Sequence, residues 1–342
     1  MNNNTVAKVY IIIINWNGWR DTIECLESVF RNQYDNYRVI VCDNDSEDDS
    51  LEKIKQWADG AIWANMYSDS RIAGYTSPPI KKPIQYIEYN RKQAEQGGKS
   101  DDDSSLILIQ TGANLGFAGG NNVGIRYVLV RDDFEYIWLL NNDTVIEPDA
   151  LVYLVDRMKA QSNIGICGST LLYYNQPDKI QALGGATYNK WLGLVKHVGA
   201  FESFNNFDIV SIDKSFDYIV GASMLVSKQF IKDVGIMCED YFLYYEELDW
   251  AVRSRGKYLL SYAPESIVYH REGASIGSEN KKKSWKADYY GLRNRLYFTC
   301  KYYKYALPII YISFIGVIFN RIKRRQWARV WMCIRLLVNY KS

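Results

Sequence analysis

A chain of 342 residues can bury one large core or two medium ones, and its 48% hydrophobic fraction is that of an ordinary globular protein. Six cysteines, none in a CxxC pair and most among apolar neighbours, argue against a disulfide frame or a zinc site and for free thiols in a reducing compartment. Net charge is only +2, but from Lys281 onward fifteen Lys or Arg face a single acid, Asp288; an acidic body thus carries a basic tail suited to an anionic partner, and no nucleic-acid partner is expected.

Val9 to Ile14 is a β-branched run of buried-strand type that ends on Asn15-Trp16-Asn17-Gly18. A helix over Asp21 to Phe30 follows, with Ile23, Leu26, Val29 and Phe30 at helical spacing. Arg38 to Asp43 is a second strand, ending on Asp43-Asn44-Asp45-Ser46, and Leu51 to Trp57 the next helix. Residues 60 to 104 break this rhythm with Pro78-Pro79, Gly97-Gly98 and Asp101-Asp102-Asp103, and are expected to be an insertion or flap outside the core. Leu106 to Ile109 is the third strand, leading through Asn114-Leu-Gly-Phe-Ala-Gly-Gly-Asn-Asn122 into a helix to about Val130. Tyr136 to Leu140 is the fourth strand, with a helix from Pro148 to Gln161 beyond it. The β-α alternation predicts a parallel sheet covered by helices, every strand leaving onto polar or glycine-rich residues at one edge.

The second half is looser. Gly165 to Tyr174, Gln181 to Tyr188, Phe216 to Val226, Tyr258 to Tyr262 and Ile267 to Tyr269 read as strands, and Glu246 to Arg255 and Trp285 to Tyr303 as helices. Ala306 to Phe319 is a 14-residue apolar run, shorter than the roughly 20 residues of a membrane span. Arg321 to Ser342 adds seven basic residues and no acid, mixed with Trp and aliphatic residues. This tail is expected either to dock on a membrane without crossing it or to pack on the preceding domain or a second subunit. The N-terminus, Met1-Asn-Asn-Asn-Thr5, has no basic n-region and h-region, so the chain is expected in the cytoplasm, at most peripheral on the inner face of the cell membrane.

The densest chemistry is Trp138-Leu-Leu-Asn141-Asn142-Asp143, a buried-type strand ending on three oxygen-bearing side chains. Asn-Asp is also ordinary turn chemistry. At a strand exit, however, a carboxylate flanked by carboxamides suits a hard divalent cation, which in turn holds a diphosphate. Asp43 at its own exit can accept from base N–H or ribose hydroxyls, with Ser46 or Asp49 capping the next helix. Glu246 and Glu247 open a helix, where they favour the macrodipole, and only one of the two can face a cleft. Aromatics at 15%, with 28 Tyr and 10 Trp, fit a sugar-binding surface or a membrane interface.

Taken with Tyr244-Tyr-Glu-Glu-Leu-Asp-Trp250 and Tyr269-His-Arg-Glu-Gly-Ala-Ser275, these segments resemble the family-2 inverting glycosyltransferases of the GT-A fold, and among them the rhamnosyltransferase-like enzymes of bacterial polysaccharide assembly. Ile14 to Gly18, Asn114 to Asn122, Gly221-Ala-Ser-Met224 and Arg293-Asn-Arg295 take part; the resemblance covers roughly residues 8 to 59 and 106 to 305. It implies an α/β GT-A domain over residues 1–305, a Rossmann-like mixed sheet flanked by helices, with a helical tail at 306–342. It implies donor binding by Asn15, Asp43, Asn44, Asn114, Gly120, Asn121 and Asn142, and metal ligation, Mn²⁺ or Mg²⁺, by Asp143 and His270. Asn141 stands where the family has its first acid, and its amide oxygen ligates without charge. The general base falls on Glu247, with Glu246 and Asp249 as acceptor-side or alternative bases. The implied reaction moves a sugar from a nucleotide-diphosphate sugar to a glycan or lipid-linked acceptor. A nucleotidyltransferase and a non-catalytic sugar-binding scaffold at a membrane are the alternatives. The first would want a basic, glycine-rich loop after the first strand, and no basic residue precedes Arg20 there.

Overall fold

In this computed structural model, residues 6–63, 70–204, 216–271 and 284–339 are described; Glu272 to Ser275 of the segment after His270 lie outside them. Five strands, β1 (Val9–Asn15), β2 (Tyr37–Asp43), β3 (Tyr86–Asn90), β4 (Leu106–Gln110) and β5 (Tyr136–Asn141), are parallel neighbours in the order β3-β4-β2-β1-β5. Beyond β5 the sheet turns mixed. β12 (Ser223–Ser227) runs antiparallel to both β5 and β7 (Ile164–Tyr173), β13 (Leu259–His270) runs parallel to β7, and β6 (Thr144–Ile146) closes the edge antiparallel to β13. β8 (Gln176–Leu183) folds back on β7, while β9 (Gly185–Asn189), β10 (Leu194–His197) and β11 (Tyr218–Ile219) form a small second sheet.

Period-2 alternation explains the layers. Val9, Ile11, Ile13, Val39, Val41, Leu106, Leu108, Trp138 and Leu140 face one way, onto Ile23 and Leu26 of the Trp19–Val29 helix, Ile54 and Trp57 of Ser50–Ala58, and Leu151 and Leu154 of Ala150–Ala160. Tyr10, Ile12, Ile40, Cys42, Ile107, Ile109, Ile137 and Leu139 face the other way, onto Val123 and Tyr127 of the Gly116–Arg131 helix, Phe230 and Trp250. Both faces are covered, which is why these strands read as unbroken apolar runs.

Five expectations are corrected. The 60–104 segment is no mere flap: β3 is the sheet's edge strand, paired in register with β4 from Tyr86↔Leu106 to Asn90↔Gln110. The stretch before β3 is stitched to the body, since Glu27 accepts from Trp57 Nε1 at 2.8 Å, Ile80 N at 2.9 Å and Lys82 Nζ at 3.1 Å. Gln181–Tyr188 is two strands divided at Gly184, and Phe216–Val226 is two strands divided before Ser223. The stretches at 258–262 and 267–269 belong to one strand, β13, with a bulge between Ala263 and Ile267 around Pro264. The tail forms two helices, Leu307–Lys323 and Trp327–Val338; the stretch Lys304–Lys323, at 20 residues and mean hydropathy 1.6, is long and apolar enough to cross a membrane by length and composition.

Candidate active site

Register collects the chemistry. Asn15 sits opposite Asp43, Asp43 opposite Gln110, and Ile14 opposite Asn141, so the carboxyl ends of β1, β2, β4 and β5 form one row. Asn15 Nδ2 donates to Asp43 Oδ1 at 2.7 Å, and Ser46 adds its Oγ to Oδ1 at 2.7 Å and its N–H to Oδ2 at 3.1 Å. The Gln110 amide, oriented to satisfy its neighbours, donates to Oδ2 at 3.0 Å. Asp43 is thus buried under donors of its own chain. Ser46 does not cap the next helix, nor does the side chain of Asp49, the residue at its N-cap position, which has left-handed backbone. Asn142 Nδ2 donates to Thr22 Oγ1 at 3.0 Å, and Thr22 Oγ1 to Asn15 Oδ1 at 2.7 Å, which fastens the β5 exit to the β1 exit.

The glycine-rich exit of β4 is held by Asn44. Its Nδ2 reaches Asn114 Oδ1 and Gly116 O, both at 3.2 Å, and its Oδ1 accepts from Leu115 N at 3.1 Å. Asn114 is half-buried at the rim. Gly120 lies against β1, where a Cβ would come within 2.2 Å of Ile14 Cδ1, and Asn121 Nδ2 bonds Phe117 O at 2.9 Å inside the helix. Asn44, Gly120 and Asn121, expected at the donor, are buried, and their contacts bring the loop and helix down onto the strand exits.

At the β5 exit, Asn141, Asp143 and His270 do converge. The pairing of β13 with β6 puts His270 opposite Thr144, one residue after Asp143. His270 Nε2 lies 3.2 Å from Asp143 Oδ1 and 3.4 Å from Asn141 Nδ2, and its Nδ1 lies 2.8 Å from Gln181 Oε1. With the amide so oriented, Gln181 Oε1 can only accept, so Nδ1 carries the proton and Nε2 turns its lone pair toward Asp143. Two facing acceptors need a cation between them, either a proton or a metal. An imidazole, a carboxylate and a swivelling carboxamide suit Mn²⁺ or Mg²⁺ as a partial ligand set that leaves room for diphosphate oxygens. Among the described residues no three His, Cys, Asp or Glu side chains gather as a closed metal cage. Beneath this turn the buried Cys25 Sγ lies 3.6 Å from Thr144 Oγ1 and 3.7 Å from Asn141 O.

Glu247 reaches the same edge from the Glu246–Ser254 helix. Asn141 N donates to Ala222 O at 3.0 Å, and a Cβ on the adjacent Gly221 would fall 2.1 Å from Glu247 Oε1, so only glycine admits the carboxyl here. Burial pushes the Glu247 carboxyl up to about 7, against the pull of backbone N–H groups including that of Gly221. Glu246 is buried outright, one carboxyl oxygen has no hydrogen-bond partner, and burial with the charge of Glu247 raises it well above the carboxylate range. Of the two, Glu246 keeps its proton to the higher pH, so Glu247 is the one that ionises first. Asp249 is held by four donors: Tyr241, Lys301 and Tyr302 donate to Oδ2 at 3.0, 2.8 and 2.7 Å and Arg253 to Oδ1 at 2.8 Å; burial raises its carboxyl, but the bonds from Lys301, Tyr302 and Arg253 bring it below the usual value. It ties its helix to Trp285–Tyr302 through Lys301 and Tyr302.

The loop before Glu246 is strained, with Phe242, Tyr244 and Tyr245 at φ 63°, 69° and 75°. Asn294 holds it: its Nδ2 lies 2.8 Å from Tyr241 O, 2.8 Å from Leu243 O and 3.0 Å from Tyr244 O. Gln181, beside the His270 imidazole, and Asn294, which holds the loop before Glu246, are site-lining residues that sequence reasoning missed as individuals. Asn294 lies in the Arg293-Asn-Arg295 segment, whereas Gln181 carries no motif. Arg271 was quoted only as part of a motif; it pairs with Asp21 and Glu24 at 2.5 and 2.7 Å and anchors the β13 exit to the Trp19–Val29 helix.

A half-parallel sheet whose strand exits gather carboxamides, an acid–imidazole pair and a carboxyl raised by burial has the architecture of a GT-A glycosyltransferase. The chain belongs to Glycosyl transferase family 2, whose model matches residues 10–75 and 90–215, more than half of it. It is 24% identical over 243 residues to the low-salt glycan biosynthesis hexosyltransferase Agl10 of Haloferax volcanii, covering 71% of this chain and 72% of that one. It is 22% identical over 261 residues to the poly-beta-1,6-N-acetyl-D-glucosamine synthase of Staphylococcus epidermidis, covering 72% of this chain but only 58% of the synthase. Among solved structures, the mannosyltransferase PcManGT of Pyrobaculum calidifontis with GDP-Man and Mn²⁺ superposes at TM-score 0.52 and 11% identity, over 98% of this chain and 87% of that one. GalNAc-T7 with UDP, GalNAc and Mn²⁺ does so at 0.54 and 12%, over 85% of this chain and 48% of that one. Both likenesses bear on the fold alone.

Proposed function

We propose that this glycosyltransferase moves a hexosyl group, with inversion, from a nucleoside-diphosphate sugar to a hydroxyl of a glycan or lipid-linked acceptor, with Mn²⁺ or Mg²⁺ held by Asp143, His270 and Asn141. The observation that carries the reading is the meeting of two chemistries at one backbone contact. The acid–imidazole pair sits at the β5 exit, and Glu247 sits against Gly221, one residue from Ala222, whose carbonyl accepts from Asn141 N. Glu247 takes the proton of the acceptor hydroxyl as that oxygen attacks the anomeric carbon in line, and burial tunes its carboxyl for this work near neutral pH. Glu246, protonated, adds no second negative charge beside it. Gln181 holds the imidazole tautomer that presents Nε2. A divalent cation, when bound, offsets charge on the leaving diphosphate. Neither carboxyl needs to form a covalent link to the sugar.

Rhamnose is the donor sugar suggested by the subgroup resemblance; the names of the relatives speak for hexosyl and N-acetylhexosaminyl transfer by those proteins. The test is a transfer assay over UDP-, GDP- and dTDP-linked sugars with Mn²⁺, Mg²⁺ or chelator, with the anomeric configuration of the product read by NMR. Inverted product formed only with divalent metal is expected. Retained configuration, or equal turnover in chelator, would refute the corresponding part of the reading.

A further inference from the structure

Both C-terminal helices are apolar on the side turned away from the body. On Leu307–Lys323, Ile312, Ile315, Phe319 and Ile322 recur at helical spacing on the outer face, Phe319 with 69% of its surface exposed. On Trp327–Val338, Trp327, Trp331, Ile334 and Val338 do the same, Trp331 at 63%. The inner faces are packed: Ile310, Phe314, Met332, Cys333 and Leu336 bury one another and Leu296 of the Trp285–Tyr302 helix. A helix apolar all round, with only one side covered, has lost its other solvent. At the joint between the helices, Lys323, Arg324 and Arg325 are exposed, and a cleft there is lined by Trp285, Arg325, Gln326, Trp327, Ala328 and Arg329. Rings and guanidinium groups together are the chemistry of the headgroup level of a bilayer.

We propose that this hairpin is a membrane-docking surface that lies in the headgroup plane of an anionic leaflet and does not cross it. Length and composition would allow Lys304–Lys323 to span. The inner face forbids it. Arg295 Nη2 donates to Ser313 Oγ at 2.5 Å, and Arg321 and Arg329 converge on Asp288 at 2.6 and 2.9 Å. Pulling the helix into hydrocarbon would break these bonds and strip Leu296 of its cover. Charge decides between a leaflet and a second copy of the chain. Two copies would bring like-charged tails together, each with fifteen basic residues against Asp288 from Lys281 on, whereas an anionic leaflet complements them. The surface is joined to the active site through Trp285–Tyr302: its Lys286 ammonium lies 5.3 Å from the Trp16 ring beside Asn15, and its Asn294 holds the base loop. Combined with the transferase reading, on which this clause alone rests, the acceptor is lipid-linked and meets the enzyme at the membrane.

The full chain is floated with vesicles of phosphatidylcholine alone or with about 30% phosphatidylglycerol, a leaflet whose charge attracts nearby Lys and Arg. Flotation with the anionic vesicles is expected, weakening as salt rises from roughly 0.1 to 1 M and the screening length contracts from about 10 to 3 Å. Ile312→Glu/Phe319→Glu and Trp331→Glu, all at exposed positions, should abolish flotation with the thermal midpoint unchanged. Arg324→Glu/Arg325→Glu should weaken it by tenfold or more, since each charge near the surface is worth about fivefold. Wild-type chain left at the bottom with anionic vesicles would overturn the proposal. So would a wild-type dimer in light scattering that Ile312→Glu/Phe319→Glu makes monomeric without any flotation by the parent, which assigns the face to a second copy. Flotation on neutral vesicles that resists high salt and alkaline washing would overturn the in-plane geometry in favour of a span. None of these readouts depends on sugar transfer.

Discussion

Glu247→Gln separates a catalytic carboxylate from a structural one, because the two roles predict opposite signs. Glutamine keeps the shape of the protonated acid and its contacts to the N–H groups of Gly221 and Glu247, but cannot take a proton. Transfer should fall by roughly 10² to 10⁴-fold, the usual worth of a positioned base. Stability should rise. A carboxyl moved from 4.5 to about 7 by burial costs the folded state on the order of 3 kcal/mol once both folded and unfolded chains are ionised. The sign follows from proton binding. Between the two values the folded chain binds the proton and the unfolded chain does not, so wild-type stability falls as pH rises through that window and stays low above it. The variant lacks this loss. Its advantage in thermal midpoint is therefore largest at pH 8 and vanishes below about pH 4.5. The assay pairs initial rates from pH 5.5 to 8.5 with thermal unfolding over the same range. Wild-type rate should climb about tenfold per pH unit and level off near 7. A variant that turns over at wild-type rate, or one that is less stable than wild type at pH 8, would sink the assignment. Loss of activity in Asp249→Asn with Glu247→Gln unimpaired would move the base by two residues.

Three further outcomes follow from the site. Asp143→Ala and His270→Ala should each remove the Mn²⁺-dependent part of nucleoside-diphosphate binding while leaving the metal-independent part, as read by calorimetry with and without metal; unchanged metal dependence in both would refute the ligand set. Gln181→Leu should leave the fold intact but weaken Mn²⁺ affinity by roughly 10 to 100-fold, the usual effect of losing the partner that orients a ligating imidazole, with His270 tautomer signals shifting in ¹⁵N NMR. Asn294→Ala frees three carbonyls of the strained loop and should lower stability by about 1–3 kcal/mol and kcat more than KM; a variant equal to wild type in both would show that the loop holds its shape unaided.

How much of this was legible in the chain depends on what each residue touches. β1, β2, β4 and β5 are covered on both faces, so their sequences are continuous aliphatic runs ending on polar exits, and the parallel half of the sheet follows directly. β3 is an edge strand, with Glu88 and Asn90 exposed, and carries no such run; its residues looked like loop. β13 is interrupted by Pro264 at a bulge and so read as two strands. The Asp143–His270 pair was reached by resemblance, and the structure brings the two within 3.2 Å. Asn44, Gly120 and Asn121 are polar or glycine at a strand exit, but the partners that hold them, Gly116 O, Ile14 and Phe117 O, follow from the folded chain and not from a local pattern. Gln181 and Asn294 act on an imidazole and on backbone carbonyls far away in sequence, and such partners leave no periodic mark.

The thiol of Cys25 provides a clock for the site above it. Burial drives its pKa to about 12, so in the closed protein it is neither ionised nor reachable by an alkylating reagent. It can react only when the packing around it opens, the turn from Asn141 to Thr144 included, and its labelling rate then measures how often this part of the core opens. Ligands that tighten the turn should slow the clock, so the movement of the metal-site backbone can be followed by mass spectrometry before any substrate is known.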